Sequence, residues 1–267
     1  MESRVIVVTS GKGGVGKTTT TANIGAALAL EGRKVAVVDA DTGLRNLDSV
    51  LGLEKRIVYD VVDYLVEKSC KLRQVLIKSK ACENLYLLPT SQTHDKDAIR
   101  PEQMEELCDE LRQEFDFILV DSPAGIEQGF KNAVAGADEA VVVTTPEVSA
   151  VRDADRIIGL LSGYELYEPR LVLNRIRPDM IKRGDMMDVD DVLDILGIPL
   201  LGLIPEDEAI IVSTNRGEPV ALDGSQRSGQ AYRNIAKRLL GQEVPFPNLT
   251  ESGLWSKLKK LVGLGGK

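Results

Sequence analysis

Apolar residues along this 267-residue chain fall into two alternating patterns. Short unbroken runs rich in Val, Ile and Leu predict buried strands at 5–9, 34–38, 85–88, 117–120, 139–144, 171–173 and 200–204. Apolar positions at helical spacing predict helices at 18–31, 101–114, 148–161, 188–196 and 231–240. Gly32 stands where the first helix should stop, and Pro101 takes the favoured first position of an acidic one. Strands that do not alternate are buried on both faces. Interleaved with helices, they predict an α/β fold of three layers, a mostly parallel β-sheet with helices on both faces. Residues 1–240 contain neither an internal repeat nor a Pro/Gly/Ser-rich linker and read as one domain. Residues 241–253, with Pro245, Pro247 and Asn248, read as a linker, and 254–267 as a tail of different composition.

Hydrophobic residues at 43% and charged residues at 28% are ordinary globular usage, which excludes a disordered or collagen-like chain. The longest apolar runs, such as Val5-Ile6-Val7-Val8, fall far short of the roughly 20 residues of a membrane-spanning helix. The start, Met1-Glu2-Ser3-Arg4, leads straight into a strand, so neither a signal nor a transit peptide is expected. Cys70, Cys82 and Cys108 are odd in number and lack CxxC spacing. A reducing compartment is expected, without a disulfide framework or cysteine zinc site. His94, the one histidine, has no His or Cys neighbours and reads as a surface residue, not as part of a catalytic triad.

The formal net charge is −8, but it is unevenly spread. Residues 252–267 carry four lysines and no acid, which leaves −12 on residues 1–251. An acidic body disfavours nonspecific nucleic-acid binding, and the basic tail is set apart from it.

Gly11-Lys12-Gly13-Gly14-Val15-Gly16-Lys17-Thr18 fits the phosphate-loop pattern G-x-x-x-x-G-K-[ST], between a strand and a helix as the chemistry requires. Glycines let the backbone fold around a phosphate chain with its N–H groups inward, and the helix start adds a positive dipole end. Lys17 would reach the β- and γ-phosphates, and the Thr18 hydroxyl would ligate Mg²⁺. Lys12, five residues earlier, is either a solvated loop lysine or a cation that meets a nucleotide held by another subunit. Phosphate-loop chemistry also needs an acid at the end of a neighbouring strand, and Asp121 ends the run 117–120. Asp39 and Asp41 follow another strand at alternate positions, so both could face the phosphate end, where one could orient the attacking water. Aspartates are also common turn and cap residues, which is the competing reading of all three.

Lys12-Gly13-Gly14-Val15-Gly16-Lys17-Thr18 resembles the deviant Walker A motif of the ParA/MinD ATPases, marked by its second lysine. The segment from Asp39 to Asp48 resembles that family's switch I, and the segment from Asp121 to Glu127 its Walker B and switch II. Residues 146–156, 183–186 and 204–207 are similar to further family segments, so the resemblance covers roughly 3–264. It implies a P-loop NTPase-like fold, ATP and Mg²⁺ as ligands, and an ATP-sandwich homodimer in which Lys12 reaches the phosphates of the partner subunit. It implies that Asp41 positions the attacking water, and that Thr18 and Asp121 serve the metal together with Asp41. It places Gly11 to Thr19 around the phosphates and Asn174, Arg175, Pro205, Glu206 and Asp207 around the adenine. Asp153 and Asp155 fall on the helix used for partner contacts. Septum-placing members recruit MinC, an inhibitor of FtsZ polymerisation, and MinE stimulates their hydrolysis and releases them from the membrane. The implied location is cytoplasmic, cycling to the inner face of the cell membrane.

The tail can be read from its own residues. At roughly 100° per residue, Leu254, Trp255, Leu258, Leu261 and Val262 fall on one arc about 120° wide. Lys257, Lys259 and Lys260 fall outside it. A short basic amphipathic helix carrying the chain's only tryptophan suits an anionic membrane surface, with Lys259 and Lys260 on the headgroup side. The competing reading is a terminal helix docked on its own domain. For the whole chain, the alternatives to an ATP-dependent membrane switch are a ParA-type DNA-partitioning ATPase, a relative that places another structure, and an iron–sulfur electron-transfer ATPase using two of the cysteines.

Overall fold

In the computed structural model, which describes residues 2–43, 45–94 and 98–247, eight strands form one sheet. They are β1 (Arg4–Thr9), β2 (Val35–Asp39), β3 (Ile77–Lys78), β4 (Leu85–Leu88), β5 (Phe117–Asp121), β6 (Glu139–Thr144), β7 (Arg170–Ile176) and β8 (Leu200–Pro205). Their spatial order is β3-β4-β2-β5-β1-β6-β7-β8. Every neighbouring pair is parallel except β3 with β4. The helices are α1 (Lys17–Leu30), α2 (Leu47–Val50), α3 (Val61–Leu65), α4 (Leu72–Val75), α5 (Pro101–Arg112), α6 (Gln128–Val134), α7 (Val148–Leu161), α8 (Pro178–Arg183), α9 (Val189–Leu196), α10 (Glu208–Asn215) and α11 (Arg227–Leu239).

The period of two along each strand divides the core. Val5 and Val7 of β1, with Ile118 and Val120 of β5, face a layer that includes Leu107 of α5, Phe130 of α6 and Ile157 of α7. Ile6 and Val8, with Phe117 and Leu119, face the other layer, built on Ile24 and Leu28 of α1 and Ile235 of α11. Both faces are therefore covered, as the unbroken apolar runs require. None of the helices among the described residues is long and apolar enough to cross a membrane.

All seven expected strands are present, and the eighth, β3, is a two-residue antiparallel edge too short to show a pattern. All five expected helices are present, but α11 begins four residues early. Its first turn is polar in sequence, yet Ser228 and Gly229 within it are buried. The Ser228 hydroxyl donates to Asp207, and a side chain at Gly229 would stand 2.2 Å from the Asp223 carbonyl oxygen. The helices that periodicity missed are short. α3 is instead set by its cap, with Asp60 accepting from the Val62 and Asp63 amides and Asp63 accepting from the Asp60 amide. No residue of α10 is buried, so it has no apolar stripe to read. Cys82 and Cys108 are buried, and burial pushes the Cys108 thiol up to about 12.

Candidate functional site

The parallel register brings three aspartates to one end of the sheet. Asp39 on β2 lies opposite Asp121 on β5, and Asp121 is flanked on its other side by Val8 of β1. This is the C-terminal strand end, from which residues 10–16 run between β1 and α1. Gly16 caps α1 at φ 94°, in the left-handed region that a glycine adopts freely. A Cβ at Gly11 would stand 2.1 Å from the Asp153 carbonyl oxygen, so the loop lies directly against the backbone of α7.

Inside this end, charge and hydrogen bonding are unevenly matched. Lys17 is 8% exposed, and its ammonium lies 3.8 Å from Asp121 Oδ1. The Thr21 hydroxyl donates to the same oxygen at 3.0 Å, and the Thr18 side chain also favours the charged carboxylate. Burial still raises the Asp121 pKa, against Lys17 and the two threonines. Asp39 is pushed up to about 7, first by burial and then by the negative charge of Asp121. Its two oxygens accept from the Asp41 amide at 3.0 Å and the Leu47 amide at 3.2 Å, so it braces the loop that carries Asp41. Asp41 Oδ1 and Asp121 Oδ2 are buried without a hydrogen-bond partner.

Of the three carboxylates at this strand end, only Asp121 has Lys17 as a partner, and Asp41 and Asp121 each keep an orphaned oxygen. Hard oxygen donors left short of positive charge fit a divalent cation such as Mg²⁺, which Thr18, Asp41 and Asp121 would hold directly or through water. Lys12 has other partners. Its Nζ lies 3.1 Å from Ser149 Oγ and 3.5 Å from Glu147 Oε2, at the start of α7. It is therefore a surface cation, separate from the buried Lys17–Asp121 pair.

Comparison with known proteins shows the family of the chain. Residues 6–220 match the family described as the CobQ/CobB/MinD/ParA nucleotide-binding domain. The chain is 57% identical to the septum site-determining protein MinD of Bacillus subtilis, over 97% of this chain and 98% of that one. The chain belongs to the MinD group of the ParA/MinD family. Among solved structures, MinD in the MinC:MinD cell division complex of Aquifex aeolicus superposes with a TM-score of 0.85 at 48% identity, covering 92% of this chain and 99% of that one. The septum site-determining protein MinD of Pyrococcus horikoshii, complexed with Mg-ADP, superposes at 0.79 with 32% identity, covering 89% and 96%. The fold is thus that of a P-loop nucleotide-binding ATPase, as the resemblance implies, on the mostly parallel α/β sheet that the alternation of strands and helices predicts.

The residues expected around the adenine are brought to the same strand ends, but two of them are already engaged. Asn174 is buried, donates from Nδ2 to the Val15 carbonyl at 2.8 Å, and accepts the Arg175 amide. It thereby ties the end of β7 to the phosphate loop. Asp207 caps α10 through the Ala209 amide and accepts the Ser228 hydroxyl at 2.7 Å. Burial works against ionisation of Asp207, yet these bonds hold its pKa below the usual carboxylate range. Arg175, at φ 55°, and Glu206 line a cleft of about 880 Å³ that Pro146 and Asp185 also border, and Pro205 ends β8 beside them. On α7, Asp155 is exposed, while Asp153 is half-buried and 3.9 Å from Arg156.

Sequence reading missed Thr21 and the bracing role of Asp39. Thr21 follows Lys17 by one helical turn, which is the signal that it faces the same strand end. His94 has a serine and a glutamate beside it, with Nδ1 2.8 Å from Ser91 Oγ and Nε2 3.4 Å from Glu67. Ser91 is fully buried, so no substrate carbonyl reaches it. The tail residues Leu254, Trp255, Leu258, Lys259, Lys260, Leu261 and Val262 lie outside the described residues.

Proposed function

We propose that this protein is an ATP-hydrolysing switch that dimerises on ATP, binds the membrane through its tail, and positions the division site by recruiting a MinC-type inhibitor of FtsZ. The observation that carries the reading is the split between its two loop lysines. Lys17 is buried on Asp121, whereas Lys12 lies at the surface on Glu147 and Ser149. In the proposed dimer, Lys12 leaves these weak exposed contacts for the phosphates bound by the partner subunit. Lys17 and the loop amides fix the β- and γ-phosphates of the chain's own nucleotide. Asp41, held from behind by Asp39, offers its free oxygen to the attacking water. Mg²⁺ would offset charge on the phosphates when bound. Positioning and charge are most of what phosphoryl transfer requires. Names of relatives support the biological setting, since they include septum site-determining proteins and a MinC:MinD complex. MinE-type stimulation follows the same resemblance.

The test is co-sedimentation with anionic liposomes, comparing ATP plus Mg²⁺ with ADP, with Leu258→Glu alongside. ATP-driven binding that the tail substitution abolishes is the expected result. Equal binding with both nucleotides would sink the switch. Lys12→Ala should abolish partner-stimulated hydrolysis and keep nucleotide binding, and Asp41→Ala should leave the dimer trapped on ATP.

A further inference from the structure

At the opposite end of the sheet, the starts of β6, β7 and β8 border a cleft of about 660 Å³. Leu166, Tyr167, Ile198 and Pro199 give it apolar walls. Tyr167 is 70% exposed, and Ile195, two residues before the cleft residue Gly197, is 52% exposed. The inner charges are matched: Glu139 binds Arg4 and Arg170, and Asp138 binds Arg112. The outer acids are not. Glu168 and Asp194 have no basic partner among the described residues. Asp194 also sits in the last turn of α9, four residues after Asp190, where both the helix dipole and like charge disfavour it. The cleft and its surroundings thus offer apolar surface next to uncompensated negative charge.

The chain leaves the domain at this same end. The Leu239 carbonyl closing α11 accepts from Arg4, whose guanidinium also binds the cleft residue Glu139. Arg238 holds the Val244 and Pro245 carbonyls at 3.0 and 3.1 Å and lies 3.9 Å above the Phe246 ring. From Pro247 to Leu254 the chain can span roughly 24 Å. The tail therefore starts out from the end of the sheet that holds the cleft.

We propose that residues 254–262 dock in this cleft when the chain is off the membrane. The inference rests on the amphipathic reading of the tail. The arc of Leu254, Trp255, Leu258, Leu261 and Val262 meets Tyr167, Ile195 and Ile198, while its lysines lie toward Glu168 and Asp194. Docking sets a threshold: a lipid surface must outcompete the cleft, which two linked tails do more readily than one.

Trp255 is the only tryptophan, so its emission reports the tail alone. The experiment measures emission and acrylamide quenching of the full chain without lipid, against the same chain in guanidinium. Tyr167→Ser and the pair Glu168→Lys/Asp194→Lys are compared with it, all of them surface changes whose folding is checked by circular dichroism. A blue-shifted, protected Trp255 is expected in the unaltered chain. Each variant should lower the docked-to-free ratio about tenfold, roughly 1.4 kcal/mol, and raise liposome binding with ADP. A Trp255 as quenchable as in guanidinium overturns the proposal, as does protection that neither variant changes. Protection that grows with protein concentration assigns the contact to a second copy and also overturns it. Loss of ATP-driven liposome binding with Trp255 still protected would count against the membrane switch and leave the docking intact.

Discussion

Replacing Asp39 with asparagine should reverse its effect on stability between acid and alkaline pH. Asp39 is raised from 3.8 to about 7 in the folded chain, first by burial and then by Asp121. A carboxyl raised on folding binds an extra proton in the native state between those values. Its contribution to stability is therefore fully present below about pH 4 and is lost as pH rises through 7. A shift of about three units corresponds to about 4 kcal/mol withheld from the nucleotide-free protein near pH 8. Asparagine keeps an oxygen for the Asp41 amide but turns a donor toward the Leu47 amide, at a cost of about 1–3 kcal/mol. Near pH 4 the variant should therefore be the less stable chain by about 1–3 kcal/mol, and near pH 8 the more stable by about 1–3 kcal/mol. Urea unfolding of both chains across this range, without nucleotide or metal, measures the difference directly. Groups that are not coupled to Asp39, such as Asp48, cancel to first order in the difference, whereas Asp121 is coupled to it, so part of the change is the relief of Asp121 from the Asp39 charge. Parallel pH profiles would refute the reasoning, because they would mean that Asp39 titrates alike in both states. Hydrolysis should also slow in the variant, since the brace behind Asp41 is weakened.

Three further changes probe the frame around the site. Asn174→Ala leaves the Val15 carbonyl and the Arg175 amide without partners, and should cost about 1–3 kcal/mol in urea unfolding. Its nucleotide Kd should rise about tenfold, and an unchanged Kd would remove Asn174 from the support of the loop. Gly11→Ala sets a methyl 2.1 Å from the Asp153 carbonyl oxygen. Loop and α7 must then part, and a loss of about 1–3 kcal/mol with weakened binding of a fluorescent nucleotide is expected. Glu139 is half-buried, which raises its pKa, but Arg4 and Arg170 outweigh this and hold it below 4.5. Its contribution is present above 4.5 and lost as pH falls through the lowered value. Glu139→Gln should cost about 3 kcal/mol near pH 7 by stranding two arginines, and should flatten the acid side of the stability profile in circular-dichroism melts.

What the sequence shows and what it hides divide along physical lines. Strands buried on both faces are legible as unbroken apolar runs, so β1, β2, β5 and β6 stand within a residue of their expected ends. Elements fixed by caps or by buried polar contacts are not. α3 depends on reciprocal Asp60 and Asp63 bonds, and the start of α11 depends on Ser228 meeting Asp207 from a distant loop. The phosphate loop is legible because its glycines and lysine are consecutive. The roles of the aspartates are not, because alternation gives Asp39 and Asp41 equal claims to the site. The family resemblance singles out Asp41, and the fold gives the physical difference, with two amides donating to Asp39 and an oxygen of Asp41 left unpaired.

The same contacts bear on how nucleotide state could reach the tail. α1 carries Lys17 and is joined to α11 through Thr20 and Tyr232, whose hydroxyls lie 3.4 Å apart in the core. α11 is then fixed along its length. Ser228 binds Asp207, Arg233 binds the Ala221 and Leu222 carbonyls, Arg238 binds Leu201, and Arg4 closes on Leu239. Sliding α11 in response to a γ-phosphate would break several of these buried or half-buried bonds together, each worth about 1 kcal/mol. Pairing two intact subunits breaks none of them. In the proposed switch it brings two tails to one surface and raises avidity by about 10²–10⁴ without any new tail contact. The rigidity of α11 therefore favours a signal carried by the number of tails over one carried by a moving helix. In those terms, fusing two chains without nucleotide should restore much of the membrane binding that ATP gives, and a fusion that still needed ATP would return the signal to α11.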